Sequence, residues 1–159
     1  MISCNTGVSP VQGITGGTPV VQKMKTAIII VDHGSRSADS NALLVEVASQ
    51  FHRRFGDVFE IVEPAHMEIA EPSIARAYAK CVERGAGNIM VCPFFLGPGK
   101  HWQSDIPRLV LEANQQFPET ISQVTAPLGV DTLILDLLAK RIAQSLYPGA
   151  AEPTAVLSI

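Results

Sequence analysis

From residue 25 onward the chain alternates between short, wholly apolar runs and longer stretches whose apolar positions recur every three to four residues. "TAIIIVD" (26–32) carries no polar side chain between Thr26 and Asp32, the mark of a strand buried on both faces. "SADSNALLVEVASQFHRRFG" (37–56) spaces Leu43, Val47, Phe51 and Phe55 four apart, with Leu44 and Ala48 alongside. That spacing predicts an amphipathic helix, capped by Asp39 or Ser40 and stopped at Gly56. "VFEIVEPAHM" (58–67) predicts a second strand. "EPSIARAYAKCVERG" (71–85) predicts a second helix, with Pro72 in its first turn and Ile74, Ala77, Cys81 and Val82 on its inner face. "NIMVCPFFL" (88–96) predicts a third strand. "SDIPRLVLEANQQF" (104–117) predicts a helix capped by Ser104, with Asp105 at the positive end of its dipole and Pro107 tolerated in the first turn. "ISQVTAPL" (121–128) gives a weaker fourth strand. "DTLILDLLAKRIAQSLY" (131–147) gives a last helix with Ile134, Leu138 and Ile142 in register.

The order βαβαβαβα with short connections implies one α/β domain over residues 25–147. Its expected core is a four-stranded parallel sheet with helices on both faces, joined by right-handed crossovers. Residues 1–24 have no acidic side chain and no period, and lack both a secretory h-region and the arginines of a transit sequence. They are expected to be a flexible extension, a targeting remnant, or sequence upstream of a true start at Met24. Residues 148–159 are expected to be a disordered tail.

Composition narrows the function. A length of 159 residues, 47% hydrophobic and 17% charged, suits a single folded domain. A net charge of −3, with no basic arm or aromatic-interleaved patch, argues against nucleic acid as a partner. No apolar run approaches the roughly 20 residues that span a bilayer. The three cysteines, Cys4, Cys81 and Cys92, show no paired spacing, which excludes a disulfide framework or zinc ribbon and suits a reducing compartment such as the cytoplasm.

In parallel α/β sheets ligands bind beyond the carboxyl ends of the strands. The first strand runs into Asp32, His33, Gly34, Ser35 and Arg36. The second runs into His66, Met67, Glu68 and Glu71, and the third into a loop bearing Lys100, His101, Trp102 and Asp105. Three of the four histidines thus fall on one rim with carboxylates between them, while His52 beside Arg53 and Arg54 reads as solvated. Each has a plainer reading: Glu68 and Glu71 as helix caps, Lys100 as a surface charge, Trp102 as packing. Together, imidazoles and a carboxylate form a borderline ligand set suited to Fe, Co, Ni or Zn, and can also move protons near neutral pH.

The stretches "IIIVDHGSR", "VEPAHMEIAEPSI" and "PFFLGPGKHWQSDIP", in this order and spacing, resemble the short sirohydrochlorin chelatases of the CbiX/SirB type, with wording most like the plant-type ferrochelatases. The resemblance covers about residues 26–147. It implies a class II chelatase-like (flavodoxin-like) fold and ATP-independent insertion of Fe²⁺ into sirohydrochlorin, with Co²⁺ insertion towards cobalamin as the alternative. Residue by residue it implies catalytic and metal-handling roles for His33, Glu68 and His101. A non-catalytic tetrapyrrole- or metal-binding protein is the reading from another class. A phosphoryl-transfer enzyme using His33 is disfavoured by Asp32, where the Arg-His-Gly phosphohydrolases carry arginine.

Placement on the rim adds candidate substrate contacts for a many-carboxylate macrocycle: Ser35, Arg36, Lys100, the backbone amides of Gly97 and Gly99, and the start of the Ser104 helix. Trp102 offers either a stacking surface or packing, and His66 has no assigned role. The resemblance also implies a homodimer. The tail holds no cysteine, so no iron–sulfur cluster and no permanently bound cofactor are expected. The compartments consistent with this reading are the cytoplasm or the chloroplast stroma.

Overall fold

Ala27 to Val31, in the middle of strand β1 (Lys25–Asp32), are all buried, because β1 is flanked by strands on both edges and helices on both faces. The computed structural model of the chain describes residues 24–97 and 101–148, and of His101 and Trp102 the backbone only. The expected extension 1–24 and tail 148–159, except Met24 and Pro148, lie outside the described residues. Strands β2 (Ile61–His66), β3 (Ala86–Pro93) and β4 (Ile121–Val124) complete a parallel sheet in the order β2-β1-β3-β4. Helices α1 (Ala38–Phe55), α2 (Ile74–Glu83), α3 (Ile106–Asn114) and α4 (Thr132–Leu146) alternate with the strands. The expected α/β class and doubly wound architecture hold.

Because a strand's side chains alternate, the apolar run of β1 serves two cores. Ile28 and Ile30 meet Leu44 and Ala48 of α1 on one face. Ala27, Ile29 and Val31 meet the buried faces of α2 and α3 on the other, among them Ile74, Ala77, Cys81, Ile106 and Val110. Tyr78, wholly buried in α2, is satisfied by Thr120 Oγ1 at 2.7 Å and by Asn114 Nδ2 at 2.9 Å.

Several local expectations shift. Helix α1 is capped by Ser37, whose side chain accepts from Ser40 N–H, rather than by Asp39 or Ser40. Its expected inner face holds at Leu44 and Ala48, which are buried, and at Val47 and Phe51, which pack against them, while Leu43 and Phe55 at its margins are exposed. Ser104 is not the N-cap of α3: a π-helical turn, His101–Asp105, precedes the helix, and Asp105 takes the cap position without a capping hydrogen bond from its side chain. Pro72 precedes α2 instead of entering its first turn, with Ser73 at the N-cap. In α4 only Ala143 is buried, and Leu138 and Ile142, expected on an inner face, are exposed.

The outer strand β2 has two features of consequence. Its His66 N–H points away from β1 and donates to Pro72 O at 2.7 Å; by alternation, position 64 faces the same open edge, and there the residue is proline. Glu63, 5% exposed, lies opposite Ile29 under α2 and accepts from Lys80 Nζ and Arg84 Nη1, both at 2.7 Å. The cations are 59% and 42% exposed, so only the carboxylate depends on the pairing. The double variant Lys80→Met/Arg84→Met strands that charge and is expected to cost about 3–5 kcal/mol. Glu63→Met, which frees two cations already in contact with water, should cost clearly less. Urea unfolding midpoints of the two variants make the comparison.

Candidate active site

The strand ends are level. Asp32 of β1 pairs in register with His66 of β2, and Val31 with Pro93 of β3. Past that line, chain segments leave side by side. Met67 N–H donates to Asp32 O at 2.8 Å, and Glu68 N–H donates to His33 O at 3.2 Å, so two β-like contacts continue after the sheet. Phe94 N–H donates to Val31 O at 2.7 Å, which holds the exit of β3 against the same rim.

This backbone arrangement brings His33 and Glu68 together: Nε2 and Oε1 are 2.9 Å apart. Their side chains are 41% and 52% exposed, so the pair faces solvent and is open to an incoming ligand. Surface pairs of this kind contribute at most about 1 kcal/mol to stability, so the fold has little need of it. Two residues beside the pair adopt backbone angles that side chains disfavour. Gly34 has φ +83°, and a Cβ there would lie 2.1 Å from Glu68 O. Ile69, β-branched, has φ +71°, a strained conformation adjoining Glu68.

The remaining predicted residues fall as follows. Ser35 lies on the β1 exit, its N–H held by Asn41 Oδ1 at 2.9 Å and its Oγ accepting from Ser37 N–H at 3.1 Å, so its hydroxyl is engaged in the turn. Arg36 is exposed at the next position. Gly97 is exposed after β3, and a Cβ there would meet nothing within 4 Å, so the chain itself makes no steric demand for glycine. Gly99 and Lys100 lie outside the described residues, as do the side chains of His101 and Trp102. The backbone of His101 opens the π-helical turn that leads into α3, on the strand that exits beside β1. Glu71 caps locally, its Oε2 accepting from Ser73 N–H at 2.8 Å, in line with the plainer reading.

One part of the site was not singled out from the sequence. His66, 1% exposed, places Nδ1 2.5 Å from Asp32 Oδ1, and the same oxygen accepts Gly34 N–H at 2.9 Å. Both residues were visible at strand ends, but nothing in their spacing marked them as partners until the register was known.

Nitrogen and oxygen donors, not thiols, dominate this rim. Burial, then the nearby Glu63 charge, pushes the Cys81 thiol up to about 12, and burial also raises that of Cys92. Such thiols stay protonated at neutral pH and are poor metal ligands. Among the described residues no three His, Cys, Asp or Glu side chains converge as a metal cage. His33 and Glu68 form a two-donor pair, the start of a borderline ligand set.

Fold and rim together define an α/β domain with an imidazole–carboxylate pair at the carboxyl ends of parallel strands. The CbiX family model matches residues 27–145, and the chain belongs to the CbiX family. It is 50% identical over 119 residues to the chloroplastic sirohydrochlorin ferrochelatase of Arabidopsis thaliana, covering 75% of this chain and 52% of that protein. It is 34% identical over 139 residues to a sirohydrochlorin cobaltochelatase of Methanocaldococcus jannaschii, covering 72% of this chain and 96% of that one. The chain therefore spans about half the length of the plant relative and nearly all of the archaeal one. Among solved structures it resembles SirB from Bacillus subtilis with Fe³⁺, at a TM-score of 0.69 and 25% identity over 78% of this chain and 48% of that chain. A second SirB, described in complex with cobalt, gives 0.63 and 27%, over 78% of this chain and 51% of that one.

Gly34→Ala tests how tightly the two loops are pressed together. It should cost at least about 1–2 kcal/mol from the left-handed backbone alone. Because the methyl also meets Glu68 O, the His33 and Glu68 amide resonances should shift together in a two-dimensional NMR spectrum. Unmoved Glu68 resonances would contradict the close approach.

Proposed function

We propose that this protein is a sirohydrochlorin chelatase that inserts Fe²⁺ into the tetrapyrrole, without ATP, to give siroheme. The observation that carries this reading is the solvent-facing His33–Glu68 pair at 2.9 Å, on the rim that the β3 exit shares. The Arabidopsis relative's name supports iron. A second reading, Co²⁺ insertion, draws support from the name of the archaeal relative, which this chain spans almost whole.

The reaction exchanges two pyrrolic N–H protons for one divalent cation, so the site must supply a metal ligand and a route for protons. His33 offers Nε2. If its hydrogen lies on Nε2, towards Glu68, the ring must change tautomer before Nε2 can meet a metal, Nε2 giving its proton up as Nδ1 takes one from solvent, so that the imidazole stays neutral. The Glu68 carboxylate is the acceptor at hand, and its exposure lets it release protons to water. His101 stands as the second imidazole in this reading, on the adjoining loop, and completes a set of two nitrogens and one oxygen. The metal is substrate, and the mechanism calls for no resident cofactor.

Substrate carboxylates need local cations on a chain of net charge −3. Arg36 and Lys100 take that role in this reading, together with the backbone amides of Gly97 and Gly99, and Trp102 is assigned as a face for the macrocycle. Ser35 contributes through its turn. Since the segment before α3 is a π-helical turn, the reading drops the expected amides of a Ser104-capped helix. The chloroplastic name of the plant relative supports the stroma as an alternative to the cytoplasm.

We read the functional unit as a homodimer. Helix α4 leaves Leu133, Leu138, Ile142 and Leu146 between 48% and 74% exposed, an apolar surface that needs a cover. In the plant and Bacillus relatives the matched stretch is only about half of the chain, which leaves room for a second such domain that a second copy of this chain would replace.

An anaerobic assay following tetrapyrrole absorption should show turnover with Fe²⁺ or Co²⁺, and the faster metal decides between the two readings. His33→Ala, Glu68→Gln and His101→Ala should each lower kcat by about 10²–10⁴-fold. Arg36→Ala should raise KM. No acceleration over the uncatalysed rate removes the chelatase reading. Light scattering should give twice the 17.0 kDa chain mass, and Leu138→Asp with Ile142→Asp should return the protein to one chain. A monomeric wild type would remove the dimer.

A further inference from the structure

His66 is a buried imidazole that the chelatase reading leaves without a task. It ends β2, is 1% exposed, and meets Asp32 Oδ1 through Nδ1 at 2.5 Å. A buried imidazole can be satisfied by any nearby carbonyl, yet this one meets a carboxylate one residue before His33. Asp32 is itself doubly engaged, since Oδ1 also accepts Gly34 N–H from the far side of His33 at 2.9 Å. His33 is thus bracketed: the residue before it supplies the acceptor and the residue after it supplies a donor. On the other loop His66 lies two residues before Glu68, and its own N–H is tied to Pro72 O at 2.7 Å.

The contacts between these loops form a ladder. Asp32 and His66 pair side chain to side chain, Asp32 O accepts Met67 N–H, and His33 O accepts Glu68 N–H. Gly34 closes the stack against the carbonyl of Glu68 and the Cβ of His66. A rotation of either loop that preserved the sheet would have to break the Met67 N–H to Asp32 O and Glu68 N–H to His33 O contacts, which start directly at the pair His66 and Asp32. The His33–Glu68 pair, half in water, contributes little by itself to its own placement.

We propose that His66 and Asp32 are positioning residues, which fix the mutual geometry of His33 and Glu68 and so set how firmly this pair takes a divalent metal. The proposal rests on the chelatase reading for its kinetic consequence and on the loop geometry for its metal-binding consequence. Neither residue touches the metal or the macrocycle. Their action passes through backbone and through Asp32 to the two side chains that do. Partners that orient a ligand in this way commonly matter about 10–100-fold in metal affinity or activity.

Three variants separate this role from plain packing. His66→Phe keeps a planar ring, somewhat larger than imidazole, and removes the donor. His66→Asn restores an N–H near the place of Nδ1. Asp32→Ala removes the acceptor at a side chain 27% exposed, where water can fill in, and carries the test if His66→Phe does not fold. Co²⁺, added to each full-length protein without tetrapyrrole and followed by its visible absorption, reports the metal site directly. In His66→Phe and Asp32→Ala, Co²⁺ affinity should fall about 10–100-fold and kcat by a similar factor. KM for sirohydrochlorin should stay within about twofold, since macrocycle contacts are untouched. His66→Asn should recover most of both losses. A folded His66→Phe or Asp32→Ala that keeps wild-type Co²⁺ affinity and kcat overturns the proposal, as does a His66→Asn no better than His66→Phe. Absence of turnover in the wild type would remove the chelatase reading alone, because the Co²⁺ titrations would still read the positioning effect.

Discussion

The in-register pairing of β1 with β2 is the constraint on which the rest depends. Asp32 stands opposite His66 because every residue from Ala27 onward is paired with its counterpart from Ile61 onward. A slip by one residue would turn the side chains of β2 over, sending Glu63 to the α1 face away from Lys80 and Arg84. It would also carry Glu68 out of reach of His33. Core and rim are therefore set by a single choice of register. The buried Glu63 enforces that choice from inside the sheet and the His66–Asp32 contact from its end.

How much of this could be read in advance depended on the range of the physics involved. The strands were legible because β-branched runs such as "AIIIV" have few other places to go, and alternation with helical spacing then gives a parallel sheet. The rim was legible because a strand ends where its apolar run ends, so His33 and Glu68 could be assigned to one edge without coordinates. Their distance could not, since it depends on the register and on two unusual backbone angles, at Gly34 and Ile69. The inner face of α1 was legible at its centre but not at its margin, because Leu43 and Leu44 are equally apolar and only the neighbouring sheet selects between them. The turn before α3 was misread for a related reason: Ser104 and Asp105 are good capping residues, but the capping position is decided by how the β3 loop enters. His66 and Asp32 illustrate the limit most clearly, since a contact across 34 residues has no local signature.

Helix α4 follows a different logic from the other three. It satisfies the helical period and caps itself with Asp131, whose side chain accepts Leu133 N–H at 2.9 Å, yet it buries only Ala143. Local rules make the helix and tertiary contacts scarcely use it. Among the described residues its apolar positions are thus left largely outside the core. The relatives differ in how much chain surrounds the matched stretch, which is about half of the plant protein and nearly all of the archaeal one.

Pro64 bears on the opposite edge of the sheet. The outward positions of β2 offer an approaching strand an N–H at Val62, none at Pro64, and at His66 one already spent on Pro72. Hydrogen-bond donors on that border are too sparse to template a fifth strand. Lateral extension of the sheet is thereby closed on the β2 side, and the protein is steered away from open-ended stacking, edge onto edge, into fibres. Any association on that border must rely on side chains more than on backbone.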